Sequence, residues 1–443
     1  MRIKSISVGN YKNISPATFF FPGMLALVSA NNYGKSNALE AIQFGFDFIT
    51  ASPKEREQMM RYVPGIPLTN MLAGEDYLFV IEFELPEKGE YRYVRYGYRF
   101  SWWNDLETGA KITDETLEMR PSEAVRFTGY LKRAESRCRT SKSNQNYRRI
   151  GLTDNVLAID AMQAIDGLEI AEVIHRIQRL SYRVCSKLEL TNSFLPTSVE
   201  VGAGELSDYP ADDSDIPRAL HFLQKERPDQ YALFFEAIYN LFPEFQQVEL
   251  NEYTIRREKE DAPNALRLES TDKKGKRVSE EIPFRIRDEI CRLIIFSKYL
   301  NQPISMERMS TGTKRIFWLI ANAVLGNSYG ANLIEVDEIE TSIHPRMIRN
   351  LLETLHELKG DTSVIVTSHS PYLVQYFKPE ALYIGVPNQE GIALFRRPEP
   401  AQIKKMEKTA GELGMTIGEY IFELLSGDAD STDVLQAYLE NAS

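Results

Sequence analysis

The sequence is poor in cysteine and histidine and has no long apolar run. Its 443 residues include three cysteines, Cys138, Cys185 and Cys291, and only five histidines. The cysteines are far apart and form no C-x-x-C pair, which argues against a cysteine-ligated metal site and for a reducing, cytoplasmic compartment. No stretch approaches the roughly 18 consecutive apolar residues of a membrane-spanning helix, so we expect no membrane partner.

Positive charge is also scarce on average. Lys and Arg number 52 against 63 Asp and Glu, a net charge of -11, which would repel nucleic acid if it were spread evenly. Residues 120–149, however, contain nine basic and two acidic residues, so this basic segment is +7 and the rest of the chain is -18. Three interpretations stay open: a solvated loop, a docking surface for an acidic protein partner, or a contact with DNA. The residues expected to make such a contact are Arg126, Lys132, Arg133, Arg137 and Arg139.

The remaining composition is that of a globular protein. Hydrophobic residues make up 43% of the chain, which is enough for a packed core and excludes a disordered chain. Turn residues and alternation predict a hairpin of 77–85 with 91–103. Helical spacing of apolar residues predicts helices within 156–190, 217–241, 288–300 and 311–325.

The first motif with chemical content is Ser-Ala-Asn-Asn-Tyr-Gly-Lys-Ser at 29–36, between an apolar strand and a helical pattern. This context is typical of a Walker A loop, whose backbone N–H groups hold phosphate oxygens at a helix N-terminus. Lys35 would reach the β and γ phosphates, and the Ser36 hydroxyl would ligate Mg²⁺. A helix cap explains the G-K-S triplet equally well when it is taken alone. The nucleotide-binding residues expected here are Asn31, Asn32, Gly34, Lys35, Ser36 and Asn37.

Two other apolar strands end in reactive side chains. After 333–336, Asp337 would hold magnesium, and Glu338 would orient and deprotonate an attacking water. After 364–368, His369 could contact the γ-phosphate. The 32 residues from Asp337 to His369 include one predicted helix, at about 345–358, which is the length of a β-α-β crossover, so we expect the two strand ends to be neighbours. Solvated acids and a structural histidine are the ordinary alternatives.

A fourth feature is Ser310-Thr311-Gly312 at the start of a predicted helix. Ser310 and Gly312 could present a hydroxyl and backbone N–H groups to a phosphate, or Ser310 could simply cap the helix. Each of the four features is weak alone. Their order along the chain, each at a strand or helix terminus, predicts nucleotide binding.

These residues resemble the ABC-type ATPase family, in particular its RecF, SMC and OLD branch. The resemblance rests on A-N-N-Y-G-K-S-N-A-L-E-A-I, V-D-E-I-E-T-S-I-H-P and T-S-H-S-P-Y-L. It implies an α/β P-loop NTPase of ABC-ATPase type, with a mixed sheet flanked by helices and an inserted helical and β lobe. The expected segments are 1–119 and 246–385 for the two halves of the ATPase core, 120–245 for an inserted basic and helical lobe, and 386–443 for a C-terminal helical extension.

The resemblance further implies ATP and Mg²⁺ as cofactors and a homodimer or higher oligomer that forms around ATP. Ser310 and Gly312 of one protomer would then face the nucleotide held by Lys35 and Glu338 of the other. Glu340 and His344 fall where the family's D-loop communicates across that interface, although both could instead cap the following helix.

The lengths of the remaining segments suggest how the ATPase would act. The 274 residues from Ser36 to Ser310 are too few for SMC arms, and the 74 after His369 are too few for the Toprim nuclease domain of OLD proteins. Asp428, Asp430 and Asp433 are interpreted as a solvated linker. We therefore expect an ATPase without its own nuclease.

Standalone ATPases of this kind resemble subunits of two-gene phage-defence systems, such as the ATPase of the phage anti-restriction-induced system (AriA). That resemblance implies a sensor or scaffold with a separate effector, such as a Toprim or HNH nuclease, and a phage trigger protein. The alternative is a RecF-like DNA-repair or DNA-binding clamp. A transporter ATPase subunit is disfavoured, because the signature lacks the L-S-G-G-Q form.

Overall fold

The computed structural model divides the chain into two compact units. The first unit comprises Met1–Val184, Gly330–Glu340 and Lys359–Ser443, and the second comprises Cys185–Tyr329 and Thr341–Leu358. The residues that the structure describes are 1–30, 33–61, 68–86, 91–103, 111–135, 137–139, 148–149, 152–163, 170–185, 193–195, 199–201, 214–255, 265–271, 277–286, 289–388, 390–427 and 429–440.

Twenty strands are present in the described residues. In chain order they are β1 Arg2–Gly9, β2 Ala17–Phe20, β3 Met24–Val28, β4 Tyr77–Glu84, β5 Tyr93–Ser101, β6 Lys111–Arg120, β7 Thr128–Ala134, β8 Arg137–Arg139, β9 Arg148–Arg149, β10 Tyr182–Cys185, β11 Val199–Val201, β12 Phe245–Thr254, β13 Ala265–Thr271, β14 Arg277–Ile286, β15 Glu289–Ser297, β16 Ile304–Ser305, β17 Leu333–Val336, β18 Ser363–Ser368, β19 Leu382–Pro387 and β20 Ala393–Arg396.

Twelve α-helices accompany them in the same described ranges. They are α1 Lys35–Thr50, α2 Pro53–Met59, α3 Ala158–Gln163, α4 Ala171–Gln178, α5 Ile216–Glu226, α6 Pro228–Leu241, α7 Thr311–Tyr329, α8 Pro345–Leu358, α9 Pro371–Val374, α10 Pro400–Glu412, α11 Ile417–Ser426 and α12 Ala429–Gln436.

The first unit is built on two sheets. An eight-stranded sheet has the order β2-β1-β4-β5-β6-β7-β8-β9, and its β4–β5 pair is the hairpin expected from the sequence. A six-stranded sheet has the order β10-β17-β18-β3-β19-β20. Its strands β17, β18, β3 and β19 pair in parallel, whereas β20 is antiparallel to β19. The sheet is therefore mixed, and the expected α/β class is confirmed.

Helix α1 lies between these two sheets, because its side chains contact both. Phe46 packs edge-on against Phe79 of the large sheet and against Tyr182 of the six-stranded sheet. A Cβ on Gly45 would lie 1.9 Å from the Phe79 ring, so only glycine allows this helix to approach β4 so closely. The helix that begins at the expected phosphate loop is thus fixed in the core of the unit.

The second unit has its own sheets and core. Its sheets have the orders β11-β14-β13 and β12-β15-β16. Helices α5, α6, α7 and α8 complete the unit. Phe317 of α7 is fully buried and packs against Phe234, Phe242 and Phe245, which joins α7 to α6 and to β12. The helices expected over 217–241 and 311–325 are both present.

Two of the secondary-structure predictions are wrong. Residues 288–300 were expected to be helical, but β15 occupies 289–297 and buries alternate residues, including Cys291, Leu293 and Ile295. The helical prediction for 156–190 is wrong at 182–185, where β10 lies, whereas α3 and α4 lie within the range as expected. Asp430 and Asp433 are exposed, as expected of solvated acids, but they lie on helix α12 and not in a linker, and Asp428 lies outside the described residues.

The boundaries of the compact units also differ from the segments expected at 119/120 and 245/246. Strands β7, β8 and β9 extend the large sheet beyond β6, so residues 128–134, 137–139 and 148–149 share a sheet with the N-terminal strands. Strand β12, which begins at Phe245, lies in the second unit together with α5 and α6.

Candidate functional site

The phosphate loop lies between the end of β3 and the start of α1. Gly34 adopts φ 95°, a left-handed conformation that favours glycine. A Cβ at this position would also meet Ala393 Cβ at 2.9 Å and Asn13 Oδ1 at 3.1 Å. Both the backbone angle and the space therefore require glycine. Asn31 and Asn32 lie outside the described residues.

Lys35 follows directly and is only 5% exposed. Its Nζ lies within hydrogen-bond distance of three oxygens, at 2.8 Å from the carbonyl oxygen of Ser29, 3.1 Å from Ser29 Oγ and 3.2 Å from the carbonyl oxygen of Ala30. Burial lowers the pKa of Lys35 to about 8, and the nearby carboxylates of Asp337, Glu338 and Glu340 act in the opposite direction. The amine is thus held against the end of β3, where carboxylates favour its charged form.

The carboxylates at the end of β17 are placed by the neighbouring strand. β17 and β18 pair in parallel, with Val336 opposite Val366. Thr367 Oγ1 donates to Asp337 Oδ1 at 2.6 Å and accepts the backbone N–H of Glu338 at 2.8 Å. Glu338 has φ 46°, a strained conformation for a residue other than glycine. Thr367 therefore holds the turn that orients both acids, and the prediction that the two strand ends are neighbours is confirmed.

His369 connects the two sides of the site. Its Nδ1 lies 3.0 Å from Lys35 Nζ, and its Nε2 lies 3.3 Å from Glu338 Oε1. An ammonium group can only donate, so Nδ1 accepts, and Nε2 carries the proton that faces Glu338. The backbone N–H of His369 donates to Glu340 Oε1 at 2.7 Å. Glu340, expected at an interface or a helix cap, holds the histidine loop in this unit.

Lys35, Glu338 and His369 line one open pocket of about 490 Å³. Asn37 also lines it and donates through Nδ2 to Asn13 Oδ1 at 2.8 Å. Ser36 is exposed at its rim. The residues that line the pocket are Tyr33, Gly34, Lys35, Ser36, Asn37, Glu338 and His369. An amine, hydroxyls and helix N–H groups beside acids are the groups that a magnesium-bound phosphate needs.

The metal-binding groups near the pocket suit Mg²⁺ better than a metal ion whose ligands all come from the protein. Within the described ranges, no group of three or more His, Cys, Asp or Glu side chains is placed to hold a metal ion. Magnesium usually takes one or two carboxylates together with waters and substrate phosphates. Ser36 and Asp337, one hydroxyl and one carboxylate at the ends of neighbouring elements, are such a set.

A second acid on β17 has a different environment. Glu335 is fully buried, and its Oε2 accepts a hydrogen bond from Gln43 Nε2 of α1 at 2.6 Å. Burial raises the pKa of Glu335 to about 8, and the hydrogen bond from Gln43 opposes the shift. Burial thus favours the protonated form of Glu335, whose hydrogen bond joins β17 to the helix that begins at Lys35.

The signature residues lie in the second unit. Ser310 is exposed, and its Oγ accepts the backbone N–H of Thr313 at 3.2 Å, so it caps α7. A Cβ on Gly312 would lie 2.5 Å from the carbonyl oxygen of Ser342, which shows a close backbone approach. His344 is exposed, and its Nδ1 accepts the backbone N–H of Arg346 at 3.3 Å at the start of α8.

One of the five basic residues expected to contact DNA or an acidic partner is not at the surface. Arg133 is fully buried, and its guanidinium donates to the carbonyl oxygens of Glu135, Val156 and Thr153, 3.8 Å from the carboxylate of buried Glu115. It cannot meet a polyanion at the surface, and the prediction for Arg133 is wrong. Arg126 and Lys132 are exposed. Arg137 and Arg139 lie on β8, but their side chains fall outside the described residues.

Sequence reasoning missed Thr367 and Gln43 as parts of the site. Thr367 precedes a Ser-His pair and looks like an ordinary strand residue. Only the parallel register of β17 with β18 places its hydroxyl beside Asp337. A hydroxyl residue at the end of a strand next to an acidic pair is a signal that could have identified it.

Comparisons with known proteins agree with this geometry at a coarse level. Residues 208–375 match the family model described as "AAA domain, putative AbiEii toxin, Type IV TA system". The match includes the signature, Asp337, Glu338 and His369, and it does not reach the phosphate loop. Together with the pocket, it supports an ATPase of the AAA type. No curated protein matches the chain significantly.

Several solved structures resemble the fold. An SMC head bound to the C-terminal winged-helix domain of ScpA is 12% identical, with a TM-score of 0.49 over 91% of this chain and 99% of that one. The Thermotoga maritima SMC head domain is 12% identical, with a TM-score of 0.43 over 90% and 100%. A Pyrococcus furiosus SMC head, bound to the C-terminal domain of ScpA, is 12% identical, with a TM-score of 0.46 over 93% and 99%.

Among the described residues, no helix combines the length and the apolar character that crossing a membrane requires.

Proposed function

We propose that this protein binds ATP with Mg²⁺ in the pocket of the first unit and hydrolyses it to ADP and phosphate. The observation that carries the proposal is the unbroken contact from Lys35 through His369 to Glu338, at the open end of the phosphate loop. The three residues reach this pocket from α1, the end of β18 and the end of β17. A cation, a hydrogen-bond donor and a carboxylate are the groups that phosphoryl transfer to water uses.

Each residue has a role that follows from its position. Lys35 would bind phosphate oxygens, and Ser36 with Asp337 would hold Mg²⁺. When bound, Mg²⁺ neutralises phosphate charge and orients the phosphates. Glu338 would accept a proton from the attacking water, and His369, with its proton on Nε2, would donate a hydrogen bond to the transferred phosphate. Thr367 orients the two acids without touching the substrate.

The sharpest test compares two Glu→Gln substitutions three residues apart, one on β17 and one just after it. Glu338→Gln should retain ATP binding and lower the turnover number by about 100- to 10,000-fold, because the general base is removed. Glu335→Gln should leave turnover within about twofold, because a protonated buried acid and an amide both accept from Gln43. Phosphate release and equilibrium ATP binding measure the two effects. Turnover at the parental rate in Glu338→Gln would show that this residue is not the base.

We further propose that ATP joins two chains, with Ser310 and Gly312 of one protomer at the nucleotide of the other. Exposure of Ser310 at the start of α7 supports this proposal, because the hydroxyl is accessible to a second chain. Sedimentation of Glu338→Gln should show a dimer with ATP and Mg²⁺ and a monomer without nucleotide. Lys35→Ala is the matched control, because it should stay monomeric under both conditions. A Glu338→Gln protein that stays monomeric at saturating ATP would contradict the proposal.

The proposed biological role is a sensor or scaffold that controls a separate effector, such as a Toprim or HNH nuclease, in defence against phage. Its support is the description of the matched model, which names a toxin and a Type IV TA system. Mass spectrometry of proteins that co-purify with trapped Glu338→Gln should identify a nuclease that is absent with Lys35→Ala. Recovery of replication or repair proteins in its place would contradict the defence role.

A RecF-like DNA clamp is the second proposed function, and the exposed Arg126 and Lys132 favour it. Neutralising both should reduce the salt dependence of duplex DNA binding by about one unit of slope per residue. Salt-independent binding, or none, would exclude this function.

A further inference from the structure

The loop that carries His369 is supported from one side by Glu340. The backbone N–H of His369 donates to Glu340 Oε1 at 2.7 Å, so the loop is tied to the segment that follows β17. Ser370 N–H donates to Ser368 Oγ at 2.9 Å, which fixes the turn out of β18. These bonds restrain the start of the loop, and its far end runs directly into α9.

The far end is anchored by helix α11. Leu373 and Val374 of α9 are buried, and α9 packs against α11. Helix α11 begins with a capping box in which Thr416 Oγ1 accepts Glu419 N–H and the Glu419 carboxylate accepts Thr416 N–H. This arrangement fixes the first turn of α11, and Gly418 lies within that turn.

Gly418 is the point of closest approach. A Cβ there would lie 2.0 Å from the carbonyl oxygen of Pro371 and 2.9 Å from its carbonyl carbon. The obstructing atoms are backbone, so no change of side-chain rotamer could make room. Only glycine lets α11 lie against the residue that ends the histidine loop, and any larger residue must push the two backbones apart.

We propose that Gly418 is a positioning residue that sets the place of His369 through Pro371, so that helix α11 controls hydrolysis. This rests on the proposed role of His369 in turnover. Pro371 is two residues from His369, whose ring meets Lys35 at 3.0 Å and Glu338 at 3.3 Å. A shift of about 1 Å would break both contacts, and such misplacement costs up to about 100-fold in rate.

The first experiment compares Gly418→Ala with Gly411→Ala in the full chain. Gly411 is an exposed residue of α10, and a Cβ there meets no atom within 4 Å, so it is the matched control. Gly418→Ala should lower the turnover number at least about tenfold and leave ATP affinity within about twofold, because Lys35 keeps its contacts to Ser29 and Ala30 in the phosphate loop. Gly411→Ala should change neither value. Parental turnover in Gly418→Ala would overturn the proposal.

The second experiment separates positioning from general damage by repeating Gly418→Ala in a His369→Ala background. If Gly418 acts through His369, the double variant should turn over no more slowly than His369→Ala alone. An equal loss in both backgrounds would overturn the inference and leave the proposed function intact. Parental turnover in His369→Ala alone would instead contradict the role proposed for His369.

Thr416→Ala gives a milder version of the same test if Gly418→Ala does not fold. Thr416 is exposed, and its loss loosens only the first turn of α11. Turnover should fall about threefold in the parental protein and not at all in the His369→Ala background. A loss of equal size in both backgrounds would overturn the proposal here too.

Discussion

The two parts of the expected ATP site are constructed in different ways. In the first unit, Lys35, Asp337, Glu338, Thr367 and His369 form a strand-end cluster whose contacts join three separate elements. In the second unit, the side chain of Ser310 caps its own helix, with its Oγ bonded to the backbone N–H and the hydroxyl of Thr313. One arrangement is fixed by the tertiary fold, and the other by a single helix turn.

This difference shows where a second chain would matter. The strand-end cluster has its cation, base and histidine in place within one protomer, so nucleotide binding should need one chain only. A capping serine keeps its hydroxyl at the surface, where a phosphate on another chain could reach it. Substitutions in each unit can test whether one chain binds the nucleotide and a second chain completes the site.

Removal of Lys35 should have the largest effect. Lys35→Ala should weaken ATP binding by about 100-fold or more, because the site loses its buried cation and the charge-assisted hydrogen bonds it would make to phosphate. Calorimetry of ATP binding measures the loss. Lys359→Ala is a control, since Lys359 is also a buried lysine of the first unit but donates to the carbonyl oxygen of its neighbour Gly360. Unchanged affinity in Lys35→Ala would mean that the cluster does not hold phosphate.

Thr367→Val should have the next largest effect. Valine keeps the shape of threonine but removes the hydroxyl that donates to Asp337 and accepts from Glu338. We expect turnover to fall about tenfold and the Mg²⁺ concentration needed for half-maximal turnover to rise. ATP affinity at saturating Mg²⁺ should change little. Thr362→Val is the control, because its hydroxyl bonds only to the Ala331 carbonyl at the opposite end of β18. Parental turnover at all Mg²⁺ concentrations would contradict a positioning role for Thr367.

These positions differ in how far sequence could predict them. Lys35, Asp337, Glu338 and His369 stand at the ends of apolar strands in a recognisable order, and parallel pairing brings such ends together. Thr367 has no such signal, because its partners are set by the register of β17 against β18. Gly418 likewise depends on a tertiary contact 47 positions away in the sequence, with Pro371.

The periodicity of the sequence explains two wrong predictions, the helix over 288–300 and the exposure of Arg133. Residues 290–296 are apolar except for Arg292, and positions 290, 293 and 294 among them have helical spacing, yet the chain buries 291, 293 and 295 of a strand. Adjacent residues of a strand in the basic segment likewise point to opposite faces of the sheet. Lys132 is exposed and Arg133 is fully buried, so a count of positive charge overestimated the surface charge.

Mixing two inactive variants should show whether Ser310 completes a partner's site. Ser310→Ala and Lys35→Ala should each lose most turnover, but a mixed dimer contains one site with an intact Lys35 and an intact Ser310. Random pairing then restores about a quarter of the parental activity per chain. Thr313→Ala with Lys35→Ala is the control, because Thr313 shares the cap but is not expected at the phosphate. If Ser310→Ala alone retains full turnover, its role is limited to the cap.

His344→Ala should have the smallest effect. Its Nδ1 accepts a single backbone N–H at the start of α8, and the side chain is exposed, so the free energy of unfolding should fall by no more than about 1 kcal/mol. Turnover should stay parental, whereas Glu340→Ala, which releases the His369 backbone in the strand-end cluster, should lower turnover several-fold at about the same stability. Thermal melting and phosphate release separate these outcomes. If the His344→Ala protein melts like the parent but turns over slowly, His344 acts at the dimer interface and not as a helix cap. The proposed dimer contact would then extend from Ser310 to α8.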